Sequence, residues 1–208
     1  MPVILVANPK GGVGKSTLAS NIAGYYARQG HAVMLGDVDS QQSARQWLAL
    51  RAAQLPLIQS WDVESKGLLK PPKGVSHVVL DTPAGLHGKK LASLYALADK
   101  LLIPLQPSLF DIQATYGFLQ TLQDLRAQSG GKSPQLALVG MRAREGTLSA
   151  QQLQQFVQGL ALPVLGMLRD TQNYVQLAAR GLTLWDVAPS RVERDLAQWQ
   201  ALGDWLDH

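Results

Sequence analysis

The sequence predicts an α/β fold, in which a mostly parallel, twisted sheet carries helices on both faces in a three-layer arrangement. Short apolar runs rich in Val, Ile and Leu alternate along the chain with segments of helical spacing, which is the pattern of buried parallel strands joined by helices. A glycine-rich segment follows the first apolar run, at the position where such sheets bind ligands. We expect a single domain covering residues 1–208.

Six apolar runs are predicted to form strands, because a strand covered on both faces needs no polar alternation. They comprise residues 3–7, 32–35, 75–80, 101–105, 136–139 and 164–168. Helices are predicted over residues 18–28 and 41–53, and apolar residues also recur at intervals of three or four from Ile112 to Leu125. The same spacing from Val192 to Leu206 predicts a last helix whose apolar stripe packs on the domain.

The composition excludes several classes of protein. Of the 208 residues, 46% are apolar and 16% are charged, which is typical of a globular chain. No apolar stretch reaches the roughly 18 residues of a membrane span, and the first residues lack the features of a signal peptide, so we expect a cytoplasmic protein. The absence of cysteine excludes iron–sulfur ligation. A net charge of +4 is compatible with a polyanionic partner.

A phosphate-binding loop is predicted between the first strand and the first helix, which indicates a P-loop NTPase. Residues 8–17 read Asn-Pro-Lys-Gly-Gly-Val-Gly-Lys-Ser-Thr. Glycines allow backbone N–H groups to converge on phosphate oxygens, and a helix N-terminus adds partial positive charge. We expect Lys15 to reach the β and γ phosphates and Ser16 to ligate Mg²⁺. The predicted nucleotide-binding residues are Gly11, Gly12, Val13, Gly14, Lys15, Ser16 and Thr17.

The loop departs from the usual G-x-x-x-x-G-K-[ST] pattern, because Pro9 replaces the first glycine and Lys10 follows it. In this respect the segment resembles the deviant Walker A motif of the ParA/MinD ATPases. The resemblance implies that two copies of the chain enclose ATP and that Lys10 reaches across this homodimer to the partner's ATP. A second cation on the transferring phosphate would act as an arginine finger does. Lys10 and Lys15 are therefore candidate catalytic residues, although Lys10 could also be a solvated loop lysine.

Three aspartates follow predicted strands. Asp37 and Asp39 stand in a segment that resembles the D-x-D-P-Q motif of the family, with Ser40 in place of proline. The resemblance implies that Asp39 positions the attacking water and that Asp37 supports the Mg²⁺ shell; alternatively, Asp39 or Ser40 caps the following helix. Asp81 ends the strand predicted over residues 75–80 in the manner of a Walker B aspartate, and we expect it to hold Mg²⁺.

One later segment departs from the family pattern. Residues 139–142 read Val-Gly-Met-Arg, whereas the family often has an asparagine there that reads adenine. The resemblance to the ParA/MinD ATPases therefore supports phosphate binding more firmly than selection of the base.

The resemblance also implies a function in partition or positioning. ATP would close a dimer that binds DNA without sequence preference, and a ParB-like or cargo-adaptor partner would stimulate hydrolysis. We accordingly expect association with the nucleoid in the ATP-bound state. DNA phosphates are neutralised by Lys and Arg, and the candidate DNA contacts are Arg169, Arg180, Arg191 and Arg194. Each of these could instead be a solvated helix charge.

Two alternatives belong to other functional classes. A MinD-like membrane-cycling ATPase would carry a basic amphipathic helix at its C-terminus, whereas residues 194–208 finish acidic. We therefore expect no membrane partner. A metabolic enzyme on the same P-loop scaffold would need a substrate pocket, which the sequence does not identify.

Overall fold

A parallel sheet forms the centre of the molecule in the computed structural model, which describes residues 1–38, 42–62, 73–131, 133–144 and 146–208. Seven strands of the described residues pair in the order β3-β2-β4-β1-β5-β6-β7, with every neighbouring pair parallel. The strands are β1 Val3–Val6, β2 Val33–Asp37, β3 Ile58–Asp62, β4 His77–Asp81, β5 Lys100–Leu105, β6 Gln135–Ala143 and β7 Val164–Arg169. The α/β prediction is confirmed.

Helices cover both faces of the sheet. They are α1 Lys15–Arg28, α2 Ser43–Ala49, α3 Gly88–Leu97, α4 Leu109–Gln128, α5 Leu148–Gln158, α6 Gln172–Ala178, α7 Pro189–Gln198 and α8 Gln200–Asp207, with a 3₁₀ helix at Leu184–Asp186. Successive side chains of a strand point to opposite faces, so Ile4 and Val6 pack with α1, α2, α6, α7 and α8. Val3 and Leu5 pack on the other face with α3, α4 and α5. Two buried cores result, one on each side of the sheet.

The edge strand β3 was not predicted. Only Ile58 and Trp61 of this strand belong to the buried cores, and β3 pairs with β2 alone. The strand reads Ile-Gln-Ser-Trp-Asp, so it lacks the continuous apolar run from which the other strands, the opposite edge strand β7 included, were predicted.

Two helix boundaries differ from prediction. α1 begins at Lys15 rather than at residue 18, because Gly14 has a left-handed φ of 96° and allows the helix to start directly after it. α2 ends at Ala49 rather than at residue 53. Arg51, two residues after that end, forms a buried ion pair with Asp186. A helix that continued through residue 51 would direct the Arg51 side chain away from Asp186.

The C-terminal stripe forms two helices rather than one, divided at Trp199. The Trp199 indole donates a hydrogen bond to the Tyr174 hydroxyl over 2.9 Å, and Leu202 and Leu206 are buried in the same core. Lys100 Nζ donates to the carbonyl oxygen of Leu206 over 2.8 Å. The predicted packing of the stripe on the domain is therefore confirmed. Across the described ranges, no helix combines the length and apolar character that a membrane crossing requires.

A buried ion pair joins α2 to the 3₁₀ helix. Arg51 Nη1 lies 2.8 Å from Asp186 Oδ2 and Nη2 lies 2.9 Å from Oδ1, and the two side chains are only 5% and 1% exposed. Burial acts to raise the pKa of Asp186, but hydrogen bonds from Arg51 and Thr183 outweigh it and lower that pKa. The pair therefore stabilises the ionised carboxylate.

Removing Arg51 is expected to destabilise the fold strongly. Arg51→Ala leaves a buried carboxylate without its cation, which typically costs about 3–5 kcal/mol of unfolding free energy. Because the folded pKa of Asp186 lies below its unfolded value, the contribution of this group is present at neutral pH and is lost as the pH falls through the folded pKa. Urea denaturation of Arg51→Ala beside the exposed Arg28→Ala measures the difference, and equal losses in the two variants would refute it.

Candidate functional site

The glycine-rich loop between β1 and α1 borders a cleft of about 640 Å³. Gly12 and Gly14 have φ values of 76° and 96°, in a region that residues with a Cβ rarely adopt. Of the predicted nucleotide-binding residues, all except one line the cleft, and Val13 is instead buried beneath the loop. Those that line it are Gly11, Gly12, Gly14, Lys15, Ser16 and Thr17.

Polar side chains from outside the motif hold the loop in this shape. Asn8 is fully buried; its Nδ2 donates to the Pro104 carbonyl over 2.8 Å, and its Oδ1 accepts from the Lys10 backbone N–H over 2.9 Å. Gln106 Nε2 donates to the Gly12 carbonyl over 2.7 Å. The roles of Asn8 and Gln106 were not predicted, because the hydrogen bonds from Asn8 to Pro104 and from Gln106 to Gly12 join segments 96 and 94 residues apart. The loop is preorganised by the ends of β1 and β5.

Lys15 is buried within the loop that it follows. Its Nζ donates to the Lys10 carbonyl oxygen over 2.7 Å, and the side chain makes further interactions. The ammonium group is thus held among backbone groups of a glycine-rich loop, where phosphate oxygens are bound in P-loop proteins.

Asp81 lies at the end of β4 in an environment suited to a cation. The side chain is 1% exposed, and Oδ1 has no hydrogen-bond partner. Burial raises the pKa of Asp81 to about 7, although a hydrogen bond from Ser16 and the charge of Lys15 act in the opposite direction. A buried carboxylate oxygen without a donor, beside a serine hydroxyl, offers the hard oxygen ligands that Mg²⁺ prefers. The residues therefore fit the predicted magnesium site.

The predicted magnesium site offers few candidate protein ligands among the described residues. Within the part of the chain that the structure describes, no group of three or more His, Cys, Asp or Glu side chains could enclose an ion. Mg²⁺ in nucleotide sites is held mainly by one or two protein groups, waters and phosphate oxygens, so the arrangement around Asp81 and Ser16 remains adequate.

Asp37 has a structural role that was not predicted for it. It is the register neighbour of Asp81 across the β2–β4 pair, which places both carboxylates at one edge of the sheet. Its Oδ2 accepts the backbone N–H of Ala44 over 2.8 Å and of Arg45 over 3.3 Å. Asp37 therefore satisfies the free N–H groups at the start of α2, a role that the sequence suggested for Asp39 or Ser40. Asp39 and Ser40 lie outside the described residues.

Lys10 belongs to the phosphate loop but is not among the residues that line the cleft. Its backbone is fixed on both sides, through the N–H bonded to Asn8 and the carbonyl bonded to Lys15. The half-buried side chain makes no hydrogen bond or ion pair with any described residue. A cation is thus presented near the phosphate loop on a rigid backbone.

Arg142 is a cleft residue for which the sequence predicted no contact. It lines the cleft together with the phosphate loop, and its φ of 51° is left-handed, a conformation that costs a residue with a side chain about 1–3 kcal/mol. The register of β6 against β7 shifts between Gly140 and Ala143 around it. The sequence showed a departure from the family pattern at residue 142, but not that the side chain reaches the cleft.

The four candidate DNA contacts are in different environments. Arg180 and Arg191 are exposed and border one small depression between α6 and α7, and Arg194 is also exposed. Arg169 Nε instead lies 2.5 Å from Oδ1 of the buried Asp195, and this hydrogen bond raises the pKa of Arg169. The fold thus brings Arg180 and Arg191 together, whereas Arg169 serves as the partner of a buried charge.

A loop of this shape at the start of a helix, with a strand-end carboxylate beside it, defines a P-loop nucleotide-binding protein. Residues 4–184 match the model of the family described as CobQ/CobB/MinD/ParA nucleotide binding domain. The chain belongs to this family. The resemblance predicted from the deviant Walker A motif is confirmed.

Curated relatives include partition and positioning proteins. The chain is 32% identical over 188 residues to the chromosome-partitioning ATPase Soj of Thermus thermophilus, a match that covers 73% of each chain. It is 38% identical over 112 residues to the maintenance of carboxysome distribution protein A of Gloeobacter kilaueensis, covering 53% of this chain and 51% of that protein. Family members of this kind act in partitioning or positioning.

Solved structures share the fold. An ATP complex of a Cyanothece McdA variant has a TM-score of 0.75 at 18% identity, covering 98% of this chain and 96% of that one. MinD of Aquifex aeolicus has a TM-score of 0.71 at 18% identity, covering 98% and 94%. A Mycobacterium smegmatis cobyrinic acid a,c-diamide synthase with ADP and magnesium has a TM-score of 0.67 at 21% identity, covering 86% and 92%. These likenesses concern the fold, whereas the description of the family as a nucleotide binding domain agrees with the predicted nucleotide cofactor.

Proposed function

We propose that the protein is an ATPase that dimerises on ATP, binds DNA without sequence preference, and partitions or positions a DNA or protein cargo together with a ParB-like or adaptor partner. Mg²⁺ would be held by Ser16 and Asp81 with support from Asp37, and would neutralise charge on the phosphates. Asp39 would position the attacking water. The observation that carries the proposal is the position of Lys10.

Lys10 is better placed to serve a second molecule than its own cleft. Its side chain is absent from the lining of the cleft that its own loop builds, although Lys15, only five residues away, is buried there. The hydrogen bonds of Asn8 and Lys15 to the Lys10 backbone limit how far that residue can turn inward. A cation of the phosphate loop that lies outside the cleft lining, on a backbone held by hydrogen bonds, suits contact with the triphosphate of a facing copy.

Apolar side chains beside the loop support self-association. Leu109 and Phe110, in the first turn of α4, are 61% and 70% exposed. They follow Gln106, which is bonded to the phosphate loop. Burying these two side chains against a second copy would stabilise a dimer at about 25 cal/mol per Å² of apolar area. The bound nucleotide and these apolar side chains would then contact the second copy on the same face of the protein.

The relatives favour partition or positioning over the two alternatives. The family also includes CobQ and CobB, so membership alone leaves a metabolic role open, but Soj is matched over 73% of its length at 32% identity. Septum site-determining protein MinD of Neisseria meningitidis is 23% identical over 223 residues. Against a membrane-cycling role, Leu202 and Leu206 of α8 are buried in the core, and Trp205 is partly buried against it.

DNA binding is expected to depend on Arg180 and Arg191, which border the same depression. Replacing both with alanine removes four positive charges from a dimer, so we expect at least about tenfold weaker retardation of random duplex DNA with ATP and a lower salt dependence. Nucleotide binding should not change, because neither residue lines the cleft. Electrophoretic mobility shift with ATP and with ADP at several salt concentrations measures this.

The matched control removes the same number of positive charges from a different part of the protein surface. Arg28 and Arg126 are exposed on α1 and α4, and their double alanine variant should retard DNA as the wild type does. If the wild type retards DNA equally with ADP and with ATP, the nucleotide switch is absent. If both double variants weaken binding equally, DNA binding reflects net charge rather than this surface.

A further inference from the structure

Two neighbouring lysines in the first turn of α3 have different surroundings. Lys89 and Lys90 both stand where the partial positive charge of a helix N-terminus disfavours cations. Lys90 Nζ donates a hydrogen bond to the Val38 carbonyl oxygen over 3.0 Å. The Lys89 side chain makes no hydrogen bond or ion pair with the residues that the structure describes. The contact with Val38, rather than the stability of α3, therefore accounts for a cation at residue 90.

Val38 is held through both of its backbone polar groups. Its N–H donates to the Asp81 carbonyl oxygen over 3.0 Å, and its own carbonyl accepts from Lys90. The side chain is buried in the core that α3 covers. The preceding residue, Asp37, binds the start of α2. The point at which the chain leaves β2 is thus fixed by β4, α3 and α2 together.

The contact between Lys90 and Val38 joins two segments that leave the sheet at the same edge. Residues 82–84 line the cleft directly after β4, and the chain then enters α3, which carries Lys90. Val38 follows β2 and is the last described residue before Asp39. Lys90 itself does not line the cleft. Its ammonium group is therefore placed to act on the segment after β2 rather than on a nucleotide bound to the phosphate loop.

We propose that Lys90 is a positioning residue for ATP hydrolysis, because it fixes the Val38 carbonyl and thereby the direction in which the chain continues toward Asp39. This inference rests on the proposed function, in which Asp39 positions the attacking water. Reaction rates depend steeply on such geometry, and a displacement of about 1 Å can cost about 10²-fold. A hydrogen bond from a cation is stronger than one from a neutral donor, so an ammonium group suits this purpose.

Lys90→Met tests the inference, because it removes the ammonium group and keeps an unbranched side chain. We expect kcat for ATP hydrolysis to fall about 10- to 100-fold. KM and the affinity for a non-hydrolysable ATP analogue with Mg²⁺ should not change, since Lys90 lies outside the cleft lining. Lys90→Arg keeps a cationic donor and should restore most of the turnover. Single-turnover hydrolysis resolves slow rates, and isothermal titration calorimetry gives the affinity.

The neighbouring lysine provides the matched control. Lys89→Met removes one exposed cation from the same helical turn, and this variant should hydrolyse ATP as the wild type does. The two variants should also have equal melting temperatures. A markedly lower melting temperature for Lys90→Met would assign the contact with Val38 to folding and would overturn the inference.

A double-mutant cycle with Asp39→Ala distinguishes positioning from an independent effect. If Lys90 acts through Asp39, Lys90→Met should cost little further turnover in a protein that already carries Asp39→Ala. Losses that multiply would show that Lys90 acts elsewhere. A fall in affinity for the analogue would place Lys90 on the nucleotide, and loss of analogue-dependent dimerisation would place it at the interface between copies. Each of these three results contradicts a positioning role.

The inference and the proposed function fail in different ways. A wild type that binds the analogue but does not hydrolyse ATP would refute the proposed function. If the wild type hydrolyses ATP and Lys90→Met has the same kcat, the inference alone is refuted.

Discussion

Replacing Lys10 with alanine is expected to reduce partner-stimulated ATP hydrolysis by about 10³-fold or more, as removal of a cation supplied in trans does in other NTPases. ATP-dependent dimerisation and DNA retardation should be lost with it. ATP binding by the monomer should persist, because Lys10 does not line its own cleft and only its backbone takes part in the loop hydrogen bonds. Phosphate release, size-exclusion chromatography with a non-hydrolysable analogue, and calorimetry separate these effects.

Mixing two inactive variants tests whether Lys10 acts in trans. In a mixed dimer of Lys10→Ala and Lys15→Ala, the first chain keeps its own Lys15 and receives Lys10 from its partner. Partial recovery of hydrolysis is expected, whereas a lysine acting in its own cleft gives none. Lys73→Ala, at an exposed lysine before β4, is the matched control. Wild-type turnover in Lys10→Ala would remove Lys10 from the mechanism.

Replacing Asp81 with asparagine is expected to stabilise the metal-free protein while abolishing hydrolysis. The neutral amide removes a buried charge whose pKa burial has raised to about 7, and since one pH unit of pKa change corresponds to about 1.4 kcal/mol, the gain at pH 8 is a few kcal/mol at most. Loss of a carboxylate ligand should lower Mg²⁺-dependent turnover by about 10²-fold or more. Thermal unfolding without Mg²⁺ and an ATPase assay with it give the two results.

The pH dependence identifies Asp81 as the cause. Its folded pKa lies above its unfolded value of 3.8, so the folded state binds more protons between about pH 4 and pH 7. The wild type should therefore lose stability from this group as the pH rises through that window and show no further change above it. Asp81→Asn should lack this slope, whereas Asp124→Asn, at an exposed carboxylate, should retain it. A less stable Asp81→Asn would mean that the carboxylate is required for folding.

Much of the fold followed from local pattern. The five central strands β1, β2, β4, β5 and β6 read as apolar runs because they lie inside the sheet. The edge strand β7 was predicted from an apolar run although only Leu165 and Leu168 of it are buried. The phosphate loop was visible because its glycine and lysine spacing is imposed by backbone geometry. The edge strand β3 was not predicted because Gln59 and Ser60 separate its apolar residues Ile58 and Trp61, so the strand shows no apolar run. The last apolar stripe indicated which residues face the core, but not the division at Trp199, which depends on the hydrogen bond to Tyr174.

Some features of the candidate site were likewise predicted from the sequence, and others are visible only in the structure. From the sequence alone, the positions of Gly14, Lys15, Ser16 and Asp81 relative to strand ends predicted that phosphate and a divalent cation would meet at one edge of the sheet. Their electrostatic surroundings depend on contacts that join distant segments, and such contacts leave no periodic signal in the chain.

Only the tertiary structure decided which charges are used internally and which are free. It assigned Asp37 to the start of α2 and Arg169 to the buried Asp195, and it turned Arg142 toward the cleft through a local shift in strand register. Hydrogen-bond partners of this kind are set by three-dimensional proximity, so residues of the same type in the same segment, such as Lys89 and Lys90, acquire different roles.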